Sequence, residues 1–209
     1  MSKAAGGGNA NNIGPLYYDG AMFANDHEWI TYGGLVKNTA AYKPQPSDTV
    51  AAYQESQYGP VRSQFQSGYA LQNLPTDMTR YVTNGAAVSV PSENLGFYFS
   101  GLRSASKGPI FYQPGSRNES VRASTESDTL IGVNMAVQGQ ETWSNDTLPT
   151  TVPARANAEL VWVPVSTRGI LIAIGGVIKP SFALASNKNN AADTDESVSI
   201  FHTASKTTF

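Results

Sequence analysis

An all-β chain built from a repeated antiparallel unit is what this sequence predicts. Three observations predict it: a composition suited to short strands and tight turns, three hairpin-like segments that each close on a pair of small residues, and a second theme that recurs downstream of each segment. The 209 residues include 19 Gly, 12 Pro and 10 Tyr, with 40% apolar and 14% charged residues. Long solvated helices draw more heavily on Glu, Lys and Ala, whereas strands separated by turns need this mixture.

The three hairpin-like segments run from Gly20 to Gly34, from Gly85 to Gly101 and from Ala158 to Gly176. Each divides into two apolar or alternating stretches joined by a polar turn: Asn25-Asp26-His27, Pro91 to Asn94, and Pro164 to Gly169. That is a hairpin signature, and the differing turn lengths are what loops tolerate. The closing positions are Gly33-Gly34, Ser100-Gly101 and Gly175-Gly176.

The second theme is Asp48-Thr-Val-Ala-Ala-Tyr53, then Asp128-Thr-Leu-Ile-Gly-Val133, then Glu196-Ser-Val-Ser-Ile-Phe201, each reading as a third strand. Fourth-strand candidates follow the first two at Ser63 to Tyr69 and Gln140 to Ser144, and both lead to a Leu-Pro step, Leu74-Pro75 and Leu148-Pro149. Hairpin, small-residue pair, third strand and aromatic fourth strand form the order of a four-stranded propeller blade. Backbones crowd near a propeller axis, and a residue without Cβ accepts both close approach and positive φ. The units run over about 14–79, 80–154 and 155–209, after a polar 1–13 tail expected to be disordered.

Several chemistries are excluded at this level. The formal net charge is −2 and the 14 Lys and Arg are scattered, so the clustered basic surface that binds a phosphate backbone is missing and no nucleic acid partner is expected. With no cysteine, disulfides, thiolate zinc sites and cysteine nucleophiles do not arise. The N-terminus lacks the apolar stretch of a signal peptide. The longest apolar region, 170–178, is interrupted by Gly175 and Gly176 and is too short to span a bilayer. No direct membrane segment is expected.

Individual residues read as structural more readily than as catalytic. His27 falls in a hairpin turn and His202 at a strand end, in different units. Ser104-Ala-Ser-Lys107 has the Ser-x-x-Lys spacing of serine acyltransfer enzymes but lies in a Gly-, Ser- and Pro-rich loop with no Lys-Thr-Gly after it. Asp193-Thr-Asp-Glu196 is acidic yet lacks the rest of a calcium loop. Asn118-Glu-Ser120 and Asn145-Asp-Thr147 are glycosylation sequons, with Asn118 the better acceptor because it lies in a loop. Tyr17, Tyr18, Trp29, Tyr32, Tyr98, Trp143 and Trp162 could stack a carbohydrate, but most occupy strand positions where packing between blades uses them.

Tyr17-Tyr-Asp-Gly-Ala21, Tyr32-Gly-Gly-Leu35, Gln57-Tyr-Gly-Pro60, Ser92 to Gly101, Trp143 to Pro149 and Arg155 to Trp162 resemble fungal kelch-repeat proteins of the galactose-oxidase-like β-propeller superfamily. The resemblance runs from about Gly14 to Lys206. It implies a kelch-type β-propeller that is incomplete, about two and a half blades where closed rings use about four to eight. It also makes Gly33, Gly34, Gly101, Gly175, Gly176 and Trp143 repeat-defining, and Arg80 and Arg155 buried arginines that bond main chain. Family members are commonly secreted or anchored at the cell surface, which is the localisation the resemblance suggests. A copper-radical oxidase of this superfamily needs a tyrosine cross-linked to cysteine, so no cofactor is expected.

The resulting expectation is a non-enzymatic binding scaffold, not an enzyme, and a truncated member of its family. Its partner would be a protein or a glycan held by inter-strand loops, chiefly Lys37 to Asp48 and Leu102 to Asp128, with self-association through open blade faces. The alternative is a catalytic or accessory propeller of a fungal metabolic pathway.

Overall fold

The computed structural model describes residues 8–9, 12–13, 17–37, 46–54, 70–112, 122–165, 167, 169–178 and 198–202. Three antiparallel sheets carry the fold, each a meander in chain order. The first blade comprises Ala21–Ala24, Glu28–Tyr32, Thr49–Gln54 and Ala70–Asn73. The second comprises Ala86–Val90, Leu95–Phe99, Thr129–Asn134 and Thr142–Thr147, and the third Glu159–Val163, Ile170–Ile174 and Val198–His202. The first strand of the second blade lies between the first strands of its two neighbours. First strands therefore form the hub, and the sheets fan outward as in an incomplete, unclosed propeller. Among the described residues the only helical element is a single 3-10 turn, Pro91–Glu93, and no helix is long and apolar enough to cross a membrane.

Strand alternation decides which side chains meet between blades. The first blade turns Phe23, Ile30, Tyr32, Val50 and Ala52 toward the second, where Tyr98, Ile131, Val133 and Met135 join them in one buried cluster. The opposite face of the second blade buries Ala86 and Phe99 against Leu160, Leu171 and Ala173 of the third. The Leu-Pro step after the second blade's fourth strand contributes Leu148 to this second cluster.

Trp143 closes the first joint from the rim of the second blade. Its ring lies 6.3 Å from Phe23 at 63° and 5.8 Å from Tyr32, within the range where aromatic pairs attract beyond their area burial. Directly beneath, Gly96 leaves room for the Phe23 ring, since a Cβ there would stand 2.7 Å from it. At the hub, Ser89 Oγ accepts a hydrogen bond from Ala24 N–H at 3.1 Å and donates one to Met22 O at 3.3 Å. At the edge where strands one and two turn, Asn25 Nδ2 donates to Asn94 Oδ1 at 2.9 Å and to Met135 O at 3.0 Å.

Two segments differ from expectation, and two others run outside the described residues. The segment Ser63 to Tyr69 lies outside the described residues, and the fourth strand found is Ala70–Asn73, just ahead of Leu74-Pro75. The second blade's fourth strand is Thr142–Thr147, not Gln140 to Ser144. Gln140 N–H bonds Val137 O at 3.0 Å and Gly139 takes φ 78°, so Gln140 belongs to the turn that precedes the ladder. Within the 1–13 tail, Gly8–Asn9 pairs with Asn12–Ile13. The Leu102 to Asp128 connection is not a plain loop. Its ends pair as Leu102–Arg103 with Thr125–Glu126, and Phe111–Tyr112 runs parallel beside Leu35–Lys37, which also pairs with Tyr17–Tyr18.

Trp143→Ala should lower stability by about 3 kcal/mol, the usual range for emptying a large aromatic site. Chemical denaturation checks this, and a loss below about 1 kcal/mol would mean the ring is not a wedge between the blades.

The loop-bearing rim as candidate functional site

An up-and-down four-stranded blade sorts its connections. Turns joining strands one to two and three to four lie on one edge, while those joining two to three and one blade to the next lie on the other. The connections 74–85 and 148–158 and the described ends of 33–48 and 100–128 therefore gather on one rim. Binding residues concentrate on such loops because a rigid scaffold positions them.

This rim is built three times over by the same backbone device. Each second strand ends in a left-handed pair: Gly33 and Gly34 at φ 72° and 98°, Ser100 and Gly101 at 55° and 95°, Gly175 and Gly176 at 62° and 106°. The pair swings the next amide out of its own sheet. Gly34 N–H then bonds Val82 O at 2.7 Å, and Gly101 N–H bonds Arg155 O at 2.9 Å, each reaching the following blade. At Gly101 a Cβ would stand 2.5 Å from Thr83 O, so only glycine fits. One residue past each pair a bridge forms, Tyr18 with Leu35 within a two-residue ladder, and Thr83 with Leu102 and Ala156 with Val177 as isolated bridges.

Ahead of each first strand sits a left-handed Asx residue, at Asp19, Asn84 and Asn157 with φ 53°, 54° and 54°. Asn and Asp tolerate that conformation better than other side chains. Asn157 N–H bonds Asn84 O at 2.8 Å, and Asn84 Nδ2 donates to Asn157 Oδ1 at 3.3 Å. These residues stand where the loop rim meets the hub.

Arg80 and Arg155 are both fully buried. Arg80 donates to Thr49 O at 3.0 Å and to Gly33 O at 3.3 Å. Arg155 donates to Pro153 O and Gly175 O, both at 3.1 Å, and its guanidinium lies 5.9 Å from the Phe99 ring centre. Carbonyls freed by the left-handed pairs thus find charged donors, the strong kind of hydrogen bond. The two arginines are not equivalent in register, because the joint carbonyl that Arg155 provides comes from Val82 in the preceding repeat.

Two phenols brace the same rim. Tyr32 Oη donates to Thr79 O at 2.8 Å, and Tyr98 Oη accepts Gly85 N–H at 2.9 Å. Their rings pack edge to face with centres 5.2 Å apart. Burial pushes Tyr32 far above the ordinary tyrosine range, helped by Tyr98 and opposed by Arg80. Burial does the same to Tyr98, opposed by the Gly85 N–H bond.

The remaining sequence candidates scatter. Ser104 is fully buried and its hydroxyl donates to Gly108 O at 3.1 Å. Lys107 closes a turn at φ 58° with its N–H on Ser104 O at 3.0 Å, so the Ser104–Lys107 spacing makes a turn and not a helix start. His27 is exposed in the first blade's turn, and His202 ends the third blade's third strand. Asn145 is exposed on the second blade's outer strand and its Nδ2 donates to Asp77 O at 3.2 Å. Asn118, the Asp193 to Glu196 cluster and most of the Lys37 to Asp48 connection lie outside the described residues.

Two features had no sequence signal because their members come from distant strands. Glu28, 3% exposed, hydrogen-bonds the Glu141 carboxyl across the first joint. Burial pushes Glu141 up, but hydrogen bonds with Glu28, Gln72 and the Gly139 amide outweigh it and hold the group below its ordinary value. On the opposite rim, a cleft of roughly 540 Å³ opens between the second and third blades, walled by Glu93, Phe97, Asn134, Thr142, Ser144 and Thr167.

No family model matches this sequence, and no curated protein matches it. Solved structures do. A fungal alcohol oxidase of the AA5 family, solved with copper, superposes with a TM-score of 0.53 at 13% identity, over 91% of this chain and 30% of that one. YjhT superposes with a TM-score of 0.50 at 11% identity, over 88% of this chain and 53% of that one. The chain thus spans about a third and about half of these proteins, and the likeness shows a galactose-oxidase- and kelch-like fold.

The comparison corrects the expectation that the chain is not an enzyme. An alcohol oxidase is built on this architecture, so the fold supplies no argument against catalysis. The residues in hand do not fit a copper-radical centre. The sequence has no cysteine, its two histidines sit on different blades, and among the described residues no three His, Cys, Asp or Glu gather.

Two outcomes follow for the rim. Gly101→Ala should cost at least about 2 kcal/mol through strain and displaced main chain, measured by denaturant unfolding. The raised phenols give stability that is complete below the unfolded tyrosine value of about 10 and falls as pH rises beyond it. Alkaline unfolding should accordingly flatten in Tyr98→Phe, and an unchanged pH slope would contradict the burial of a neutral phenol.

Proposed function

We propose that this chain is a kelch-type binding scaffold of fungal type, whose partner, a protein or a glycan, is held by the loop-bearing rim. The observation that carries this reading is the folding-back of the Leu102 to Asp128 connection onto the first blade. Phe111–Tyr112 pairs in parallel beside Leu35–Lys37, Ile110 is 1% exposed, and Ala105, Ser106 and Lys107 are the exposed tip of the turn from Ser104 to Gly108. A connection anchored beside the first blade and carrying an exposed turn presents side chains with little ordering cost on binding. The net charge of −2 and scattered basic residues favour neutral partners over polyanions.

A second reading, a catalytic or accessory propeller of a fungal metabolic pathway, is favoured by the likeness to the alcohol oxidase. Under it the rim would still hold the substrate, with reacting groups supplied from outside the described blades. Turnover of a small-molecule substrate by this chain together with a second protein, and by neither alone, would favour this reading.

Binding to an array of immobilised glycans and cell-surface proteins tests the first. Replacing the tip with Ser106→Glu and Lys107→Glu should weaken each positive interaction at least about tenfold, or 1.4 kcal/mol. A control change on the outer strand, Asn145→Gln, should leave it intact. Equal binding by the tip variant and the unaltered chain would remove the rim as the recognition surface.

A further inference from the structure

We propose that Asn84–Gly85 is a covalent modification site, at which the main-chain nitrogen of Gly85 attacks the Asn84 side chain and converts it to isoaspartate. Tyr98 keeps the site silent while the joint between the second and third blades is closed. The site is distinct from the recognition turn, Ser104 to Gly108, and independent of what the rim binds.

The sequence isolates the site. Asn84-Gly85 is the single Asn-Gly pair in the 209 residues. An asparagine is attacked by the amide nitrogen that follows it, and glycine puts no side chain in the way. Asn157 holds the same left-handed place ahead of the third blade, at φ 54°, but Ala158 follows it and its methyl hinders the approach. Asp19 holds that place ahead of the first blade and has no side-chain amide to lose.

Glycine stands at 85 for a reason other than backbone angle. Gly85 is not among the residues of positive φ, yet a Cβ on it would collide with the Tyr98 ring. Without that Cβ the phenol lies against the amide, and Gly85 N–H donates to Tyr98 Oη at 2.9 Å. Tyr98 is 1% exposed, and burial keeps its phenol neutral. The attacking species is the nitrogen stripped of its proton. Here that proton is bonded to a buried acceptor, away from the water that would remove it, so the nitrogen is quenched. On the other side, Asn84 Nδ2 donates to Asn157 Oδ1 at 3.3 Å, and Asn84 O accepts Asn157 N–H at 2.8 Å. The leaving group is thereby tied to the third blade.

When the joint opens, the Gly85 nitrogen bonds to Asn84 Cγ and the Cγ–Nδ2 bond breaks. The Gly85 proton passes through solvent to the departing nitrogen, which leaves as ammonia. One water then opens the cyclic imide, at Cγ to give aspartate or at the main-chain carbonyl to give isoaspartate. No electrons are exchanged, and water is the one reagent consumed. Isoaspartate carries the main chain through the former side chain, adding a methylene between the Thr83–Leu102 bridge and the ladder that starts at Ala86. The carbonyl that accepted Asn157 N–H becomes a free carboxylate. A transient opening of the second joint is therefore recorded permanently.

Mass spectrometry with electron-transfer fragmentation, on the chain held for weeks at neutral pH, measures isoaspartate at position 84. It should form at least about tenfold more slowly in the folded chain than in the same chain in denaturant, because the rate follows the population of the open state. Tyr98→Phe with a native circular-dichroism spectrum should speed formation at least about fivefold, the weight of one ordinary hydrogen bond. If that variant fails to fold, mild denaturant takes its place: formation in the unaltered chain should rise in step with hydrogen exchange at the Gly85 amide. Formation in the folded chain at the denatured rate, no acceleration in a folded Tyr98→Phe, or a rate indifferent to Gly85 exchange would overturn the assignment.

Discussion

Each blade hands one backbone amide to the next, and the rest of the structure depends on that transfer. A β-sheet normally keeps its amides within its own ladder. Here the left-handed pairs that end the second strands of the first two blades each turn one N–H outward, toward a carbonyl that begins the following blade. The joint therefore fixes distance and register between sheets before any side chain is considered. The aromatic wedge at the first joint and the aliphatic contacts at the second fill the wedge-shaped space that this spacing leaves. The buried arginines complete the arrangement by serving the carbonyls exposed by the same turn.

The second joint shows how one side chain can be recruited to this device. Ser100 replaces a glycine and accepts the cost of a left-handed conformation, of order 1 kcal/mol. Its hydroxyl donates to Ser127 O and accepts Arg155 N–H, both at 2.7 Å. Those bonds tie the second strand, the third strand and the next blade through a single atom. A residue without a hydroxyl would take the strain and return nothing.

Much of this was legible in the residues. The small-residue pairs at 33–34, 100–101 and 175–176 mark the joints because few residues adopt positive φ, and the Asp48, Asp128 and Glu196 themes mark third strands because they repeat in step. Fourth strands were less legible. Ala70–Asn73 carries little alternation, and the polar, mostly exposed Thr142–Thr147 is recognisable chiefly through Trp143. The docking of Phe111–Tyr112 beside Leu35–Lys37 left no trace, since two residues of parallel pairing impose no periodicity. The Glu28–Glu141 contact is similarly silent, because it exists only once two blades have been brought together. Function was the least legible, since a fold shared with an alcohol oxidase and with YjhT sets where a site can be and not what it does.

Because each sheet touches only those beside it, cohesion in this molecule is a nearest-neighbour property, as in other repeat architectures. Pulled from one end, the chain would yield sheet by sheet, in discrete steps, and damage to one joint would leave the other mechanically whole. An array of that kind can gain or lose a unit without redesigning the rest, so the amide hand-over is also what allows such chains to change length.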